Sequence, residues 1–343
     1  MNDFIAVFLV LVAGIINGSF ALPTKHMHHW RFENIWLHYG LWAFFLSPWI
    51  ILFIFVPQIF EIYYASPLHL ILIMLIGGFL FGAGQIGFAI SMSMIGIGLA
   101  FVINIGLGTG LGFLLPLVIQ HPDKIFTPFG FVTLFGTALT IFGLCFSTFA
   151  GKCRDLEQRG LLAEQALQNK HHYLIGVILA LFAGLFSAGQ NFSFSLTIPM
   201  QHLAATMHAG PIGAANIMWP GFLTCAFIPY VSYMLYLHFK NRSFKNYINI
   251  NFSKYFCFSF FMGASWFLSL IFYSKAAQLI GGLGPLVSWP LFMTMIILAS
   301  NFWGWRHHEW EGCSKKVKRH MSFGLGFLIL AVIVLGYSSW VHA

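Results

Sequence analysis

Uncharged apolar runs of about 20 residues, the length that an α-helix needs to cross a bilayer, recur from one end of the sequence to the other. In lipid every backbone N–H and C=O group must be paired within the protein, and an α-helix pairs them within a single segment. The runs lie near residues 4–22, 35–57, 68–91, 96–119, 129–150, 173–198, 211–238, 255–276, 279–302 and 321–341. This pattern predicts an all-α polytopic membrane protein with about ten transmembrane helices.

Composition excludes several other classes of protein. Only 8% of the 343 residues are charged, whereas soluble proteins carry about 25%. The first run follows Met1, Asn2 and Asp3 without a basic segment, so we expect a span and not a cleaved signal. The five cysteines are scattered and never form a C-x-x-C pair, which predicts neither a disulfide framework nor a zinc site. Because the basic residues lie in short tracts between the runs, the net charge of +8 indicates lipid head groups as partners, not nucleic acid.

The distribution of Lys and Arg predicts an orientation. The first, fifth, seventh and ninth connections hold most of these residues, and the opposite face has only Lys124 and Lys275. Positive residues favour the cytoplasmic side, so we expect these four connections inside and both termini outside. The residues on the predicted cytoplasmic side are Lys25, Arg31, Lys152, Arg154, Arg159, Lys170, Lys240, Arg242, Lys245, Lys254, Arg306, Lys315, Lys316, Lys318 and Arg319.

Weak similarity between the two halves suggests an internal repeat. Residues 13–18 (AGIING) align with residues 183–188 (AGLFSA), and residues 94–98 (MIGIG) align with residues 279–283 (LIGGL). A basic linker at 151–172 separates five runs in residues 1–150 from five in residues 173–343, and we expect its leucines to form a short amphipathic surface helix. An odd number of spans per half inverts the second half relative to the first. Inverted repeats are typical of alternating-access carriers, whose substrate lies between the repeats.

Neutral polar side chains inside the apolar runs are the candidate substrate ligands. Lipid leaves an amide unpaired, so these groups should face the bundle interior or a wet cavity. Hydrogen bonds between helices are the alternative for each residue taken singly. As a set, they suggest a cavity for a neutral, hydroxyl-rich ligand. Two tryptophans would offer flat faces to a sugar ring, and core packing is the alternative that is favoured for either one alone. The candidates are Asn17, Gln85, Asn104, Gln190, Asn191, Asn216, Trp219 and Trp289.

Two residues remain as candidates for proton coupling, because no acidic residue falls in the middle of a run. His38 lies in the second run and titrates near neutral pH, although it could equally be an interfacial ring. Lys275 lies near the end of the eighth run, where it could equally snorkel to the interface. The histidines of KHMHHW (residues 25–30) lack cysteine partners, so interfacial roles are favoured over a metal site. We expect no metal and no cofactor.

Several segments resemble one transporter family. They are LPTKHMHHWRFENIW after the first run, FGAGQIGFAISMSMIGIGLAFVI across the third and fourth, FSAGQNFSF in the sixth and WGWRHHEW after the ninth. The chain resembles the L-rhamnose-proton symporter family of the drug/metabolite transporter superfamily. The resemblance implies ten helices in two inverted five-helix repeats, and import of a deoxy-sugar with protons across a bacterial inner membrane.

The sequence therefore favours a secondary active transporter that imports a neutral sugar, L-rhamnose or a related deoxy-sugar, with protons. An exporter of drugs or metabolites from the same superfamily is the alternative. A membrane-embedded enzyme or an interaction subunit is disfavoured, because the acidic residues are scattered through loops and do not cluster at one face. The sequence leaves the oligomeric state open.

Overall fold

All ten apolar runs are helical in the computed structural model, which describes residues 2–159, 170–248 and 251–341. Ten helical segments in these residues are long and apolar enough to cross a membrane, and each coincides with one predicted run. The described residues contain no β-strand. The all-α polytopic prediction and its span count are confirmed.

Fourteen α-helices occur in the described part of the chain. They are α1 (Asn2–Ser19), α2 (Phe32–Gly40), α3 (Ser47–Phe55), α4 (Ile59–Ala65), α5 (Leu68–Ile95), α6 (Ile97–Gln120), α7 (Pro128–Arg159), α8 (Lys170–Leu196), α9 (Ile198–Thr206), α10 (Gly210–Asn216), α11 (Trp219–Asn241), α12 (Phe252–Ile280), α13 (Gly284–Arg306) and α14 (Lys315–Val341).

Three spans are interrupted. The second consists of α2 and α3 joined by a π-helical stretch, Leu41–Leu46. The sixth consists of α8 and α9, which meet at Thr197, and the seventh consists of α10 and α11. Prolines at the starts of α9, α10 and α11 contribute to these breaks, since proline cannot donate the backbone hydrogen bond that a continuous helix needs.

The basic connections lie at one end of the bundle, which we call the basic face. Lys25 in the first connection bonds Glu309 in the ninth at 2.8 Å, and Arg154 at the end of the fifth span bonds the same carboxylate at 2.9 Å. Arg31 in the first connection donates to the carbonyl of Asn241, where the seventh connection begins. The first, fifth, seventh and ninth connections therefore lie at the same end of the bundle. Consecutive spans must then run in opposite directions.

Glycines allow several helices to approach closely. A Cβ atom built at Gly14 would lie 2.2 Å from the Cβ of Met295, so α1 and α13 touch through their backbones. A Cβ at Gly78 would lie 2.0 Å from the carbonyl oxygen of Phe222, which places α5 equally close to α11. Lipid gives helices no hydrophobic reason to associate, so such contacts supply much of the attraction between spans.

Helix contacts in the two halves correspond. In the first half α1 packs against α12 and α13, and in the second α8 packs against α5 and α6. Likewise α6 packs against α7, α13 against α14, and α7 against α14. The aligned glycines Gly96 and Gly281 occupy matching junctions, between α5 and α6 and between α12 and α13, with φ angles of 83° and 89°. Two five-span units related by a two-fold axis would have this set of contacts.

The linker at 151–172 differs in part from the expectation. Its first residues continue α7, which runs without a break to Arg159. The remainder of the expected surface helix, residues 160–169, lies outside the described residues, and α8 begins at Lys170. The fifth span thus extends into the segment that the sequence assigned to the linker.

Candidate functional site

Five aromatic side chains fill the interior towards the end opposite the basic face, and we call them the aromatic plug: Phe194, Trp219, Tyr273, Trp289 and Phe292. Each is at most 2% exposed. The rings of Phe194 and Trp219 are stacked at 5.6 Å, and that of Tyr273 lies 5.4 Å from Phe194 and 5.8 Å from Trp289. The plug joins the sixth, seventh, eighth and ninth spans across the bundle.

Asn191 is the polar centre of the aromatic plug. Its Nδ2 donates to the carbonyl of Gly112 at 2.8 Å and to the carbonyl of Pro285 at 3.2 Å. Its Oδ1 accepts a short hydrogen bond from the Tyr273 hydroxyl. One buried amide therefore connects α8 to α6, α12 and α13.

The two predicted tryptophans use their indole N–H groups within the protein. Trp219 donates to Ser274 Oγ at 2.7 Å, and Trp289 donates to the carbonyl of Gly108 at 2.9 Å. Gly112 leaves room for the Trp289 indole, because a Cβ there would lie 2.2 Å from Nε1. In this conformation both rings are core residues that close the interior at this end.

Closer to the basic face, predicted ligands have polar atoms without protein partners. Gln85 on α5 is half-buried, and its amide forms no hydrogen bond to another described residue. Asn104 on α6 is 7% exposed, and its Oδ1 has no partner among the described residues. Gln85 lies one turn from Phe81, whose ring contacts Phe44 across the bundle interior. These amides are available to a ligand, unlike those of the plug.

Of the remaining predicted ligands, one bonds to another helix and two keep a polar atom without a partner in the described chain. Asn17 on α1 donates to Ser269 Oγ on α12 at 2.8 Å, which is an interhelical bond. Gln190 is 5% exposed and its Nε2 has no partner in the described chain. Asn216 donates to the carbonyl of Ile212 within α10, but its buried Oδ1 is unpaired there.

The π-helical stretch of the second span packs against α5, since the ring of Phe44 lies 6.2 Å from that of Phe81. Phe44 within it contacts Tyr230 at 5.0 Å and Trp266 at 5.2 Å. The indole Nε1 of Trp42 is buried and has no partner in the described chain. A π-helical turn displaces side chains from the regular helical register and is frequent at functional sites.

The two candidates for proton coupling lie in different surroundings. His38 is half-buried, its Nδ1 lies 3.1 Å from the carbonyl of Asn34, and its ring lies 5.0 Å from those of both Trp30 and Tyr247. Lys275 lies near the far end of α12, where its Nζ donates to Gln278 Oε1 at 2.8 Å. Lys275 thus extends towards the interface, and His38 sits in an aromatic enclosure near the basic face.

Two features were missed at the sequence level. Tyr273 lies within an apolar run, and the signal was that a buried tyrosine hydroxyl needs a partner. The second is a polar cluster that joins α2 to α11 at the basic face, in which the Nε2 of buried His238 lies 2.7 Å from the Tyr247 hydroxyl and 3.2 Å from Asn34 Nδ2. Burial raises the pKa of Tyr247 to about 12.

Acidic side chains lie at the ends of the spans. Glu33, in the first turn of α2, is 3% exposed and is the one buried acid of the described chain, where its Oε1 accepts from Asn241 Nδ2 at 3.1 Å. Glu309 lies in the ninth connection. Burial by itself raises the pKa of the Glu309 carboxyl, but the bonds to Lys25 and Arg154 outweigh it and the net shift is downward.

Among the described residues, no three His, Cys, Asp or Glu side chains are placed to hold a metal ion together. His29 of the KHMHHW segment instead stacks on Tyr255, with 6.4 Å between the ring centres. The side chains of His171 and His172 lie outside the described part. What the interior provides is therefore amides, hydroxyls and aromatic faces.

Comparison with known proteins agrees with this chemistry. A sequence model of the family described as L-rhamnose-proton symport protein (RhaT) matches residues 1–339. The L-rhamnose-proton symporter of Yersinia pestis is 25% identical over 348 residues, which cover 98% of each protein. That of Mannheimia succiniciproducens is 24% identical, with 97% of each covered. Because the match runs from the first span to the tenth, the chain belongs to the L-rhamnose-proton symport protein family, which consists of membrane transporters and not enzymes.

Proposed function

We propose that the protein imports a neutral sugar, L-rhamnose or a related deoxy-sugar, together with protons by alternating access. The observation that carries this proposal is the family match over residues 1–339. The bundle interior is consistent with it, since polar atoms without a partner in the described chain, such as the amide of Gln85 and the Oδ1 of Asn104, suit sugar hydroxyls. The printed names of the relatives specify L-rhamnose and protons, and both are carried over to this chain as part of the proposal.

The architecture that we infer for this transport is a pair of inverted repeats, residues 1–150 and 173–343, joined by the linker at 151–172. The corresponding helix contacts and the matching positive φ angles of Gly96 and Gly281 support it. A carrier of this kind alternates by rocking one set of spans against the other around a fixed central site.

The sugar site that we infer lies between the aromatic plug and the basic face. Gln85 and Asn104 would bind hydroxyl groups in the conformation described. Gln190 and Asn216, which also keep a polar atom without a partner in the described chain, would join them. Asn17, Asn191, Trp219 and Trp289 would contribute when the bundle opens and frees polar atoms that now bond to the protein. In the conformation described, the plug would close the pathway on the outer side of the membrane. The basic face would lie on the cytoplasmic side.

For proton coupling, we favour His38 over Lys275. His38 lies in an aromatic enclosure, about one helical turn before the interrupted part of its span, whereas Lys275 bonds Gln278 near the end of α12. An imidazole exchanges protons near neutral pH. Replacing His38 by Gln should therefore flatten the pH dependence of uptake, and the matched change Lys275→Gln should leave it in place.

The proposal is tested by uptake of labelled L-rhamnose into proteoliposomes, with and without an imposed pH gradient. We expect accumulation that requires the gradient, and competition by related deoxy-sugars. If a broad sugar panel gave no flux, while inverted vesicles extruded a drug or another metabolite, the exporter alternative would replace import. A reporter fused to the C terminus tests the orientation in the bacterial inner membrane, where we expect both termini outside.

A further inference from the structure

A groove of about 1280 Å³ runs along the outside of the bundle between α1, α13 and α14. It borders none of the predicted sugar or proton ligands. Its apolar wall includes Ile15, Phe302 and Ile329, which are 49%, 53% and 54% exposed. These side chains lie in spanning segments, so lipid and not water contacts them.

The length of the groove matches one leaflet of a membrane. It follows α13 from Met295 to Arg306, and eleven residues of α-helix rise about 16 Å. Half of a hydrocarbon core is about 15 Å. The groove thus extends from the basic face to the middle of the bilayer.

The end of the groove at the basic face carries two cations. Arg306 and Lys318 both line it, both are exposed, and neither forms an ion pair with a carboxylate of the described chain. Glu311 is the acidic residue that lines the same end of the groove. Its Oε1 lies 2.5 Å from the Nδ1 of His308. Two cations without an ion pair in the described chain, placed above an apolar slot of leaflet length, are complementary to a phosphate group that carries an acyl chain.

We propose that this groove binds an anionic phospholipid of the leaflet on the basic face, with its phosphate on Arg306 and Lys318 and an acyl chain along Phe302 and Ile329. The lipid fills the groove that α13 lines together with α1 and α14. It also covers apolar surface on the ninth span, whose other side carries Trp289 of the aromatic plug.

Binding is measured on purified full-length protein as the shift in melting temperature during titration with phosphatidylglycerol, compared with phosphatidylcholine. We expect a larger shift with phosphatidylglycerol in the wild type. In Arg306→Gln and Lys318→Gln its apparent affinity should fall about fivefold for each charge removed. The matched pair is Lys245→Gln, in the seventh connection, and Lys254→Gln, in the first turn of α12. Both lie outside the groove and should leave the affinity unchanged.

A second variant tests the slot itself. Ser322→Trp places a large ring in the groove and should reduce phosphatidylglycerol binding without altering charge. Each variant is scored by its own difference between the two lipids, so a change in basal stability does not enter. Equal shifts with both lipids, an equal loss in the control pair, or reproduction of the shift by inorganic phosphate at matched ionic strength would each overturn the proposal.

Discussion

The aromatic plug and the amides of Gln85 and Asn104 closer to the basic face are both polar parts of the spans, yet they differ in whether their polar atoms are hydrogen-bonded within the described chain. In the plug, Asn191, Tyr273 and Trp289 all bond to other parts of the protein. Closer to the basic face, the amide of Gln85 and the Oδ1 of Asn104 have no partner in the described chain. Burying an unpaired amide costs free energy unless something else pairs with it.

Polar side chains within the membrane can therefore have two roles. A cluster whose polar atoms are all hydrogen-bonded within the protein stabilises one conformation. A cluster with unpaired polar atoms lowers the stability of the fold and leaves these atoms for a ligand. Substitutions should therefore act on folding in the plug and on substrate affinity near Gln85. Each prediction below contrasts the free energy of unfolding with transport.

Asn191→Ala should have the largest effect. It removes the side-chain donor to the carbonyls of Gly112 and Pro285 and the acceptor of the Tyr273 hydroxyl, all buried. A buried group that loses its partner costs about 1–3 kcal/mol, so we expect a loss of several kcal/mol and very low transport. Thermal unfolding in detergent and sugar uptake measure the two. Tyr273→Phe, which removes one of these bonds, is the graded control, and an unchanged melting temperature in Asn191→Ala would contradict a structural plug.

Gly112→Ala should come next. The added Cβ would lie 2.2 Å from Trp289 Nε1, and overpacking of a tight core costs about 1–3 kcal/mol. Gly110→Ala on the same helix is the control, because its nearest neighbour would lie 3.5 Å away. We expect Gly112→Ala to melt at a lower temperature and Gly110→Ala to melt like the wild type. Equal stability of the two variants would show that the plug has room for an added methyl group and is not tightly packed around Trp289.

Gln85→Ala should lower the affinity for sugar and leave the stability of the fold nearly unchanged, the reverse of the two substitutions in the plug. It removes no protein hydrogen bond found among the described residues, so stability should change by less than about 0.5 kcal/mol. A lost ligand hydrogen bond of about 0.5–1.5 kcal/mol corresponds to a roughly two- to tenfold higher half-saturation concentration for sugar. Gln201→Ala, a buried glutamine on α9, is the control for the loss of an amide as such. Unaltered sugar affinity in Gln85→Ala would remove it from the site.

The sequence predicted the fold more completely than the site. Span number and alternation followed from apolar runs and basic connections, because the bilayer imposes both. Five of the six predicted amide ligands, all but the half-buried Gln85, are at most 7% exposed. The sequence could not distinguish Asn191 from Gln85, since whether an inward amide bonds to protein depends on carbonyls such as those of Gly112 and Pro285, which are distant in sequence. Tyr273 was missed for the same reason.

Glu309→Gln at the basic face should have the smallest effect and lies outside both regions. Glu309 bonds Lys25 and Arg154, and its side chain is 37% exposed, so solvent screening limits the gain to below about 1 kcal/mol. Its pKa is lower in the folded protein than the ordinary value of 4.5, so the contribution is present above that value and is lost as the pH falls through the folded pKa. The melting temperatures of wild type and Glu309→Gln should therefore differ at pH 7 and converge in acid. Asp123→Asn, which removes an exposed pair with Lys124 on the opposite face, should show almost no gap at either pH. A gap for Glu309→Gln that widened in acid would mean that the carboxyl is stabilised in its protonated form, and that the connections are not held together by these ion pairs.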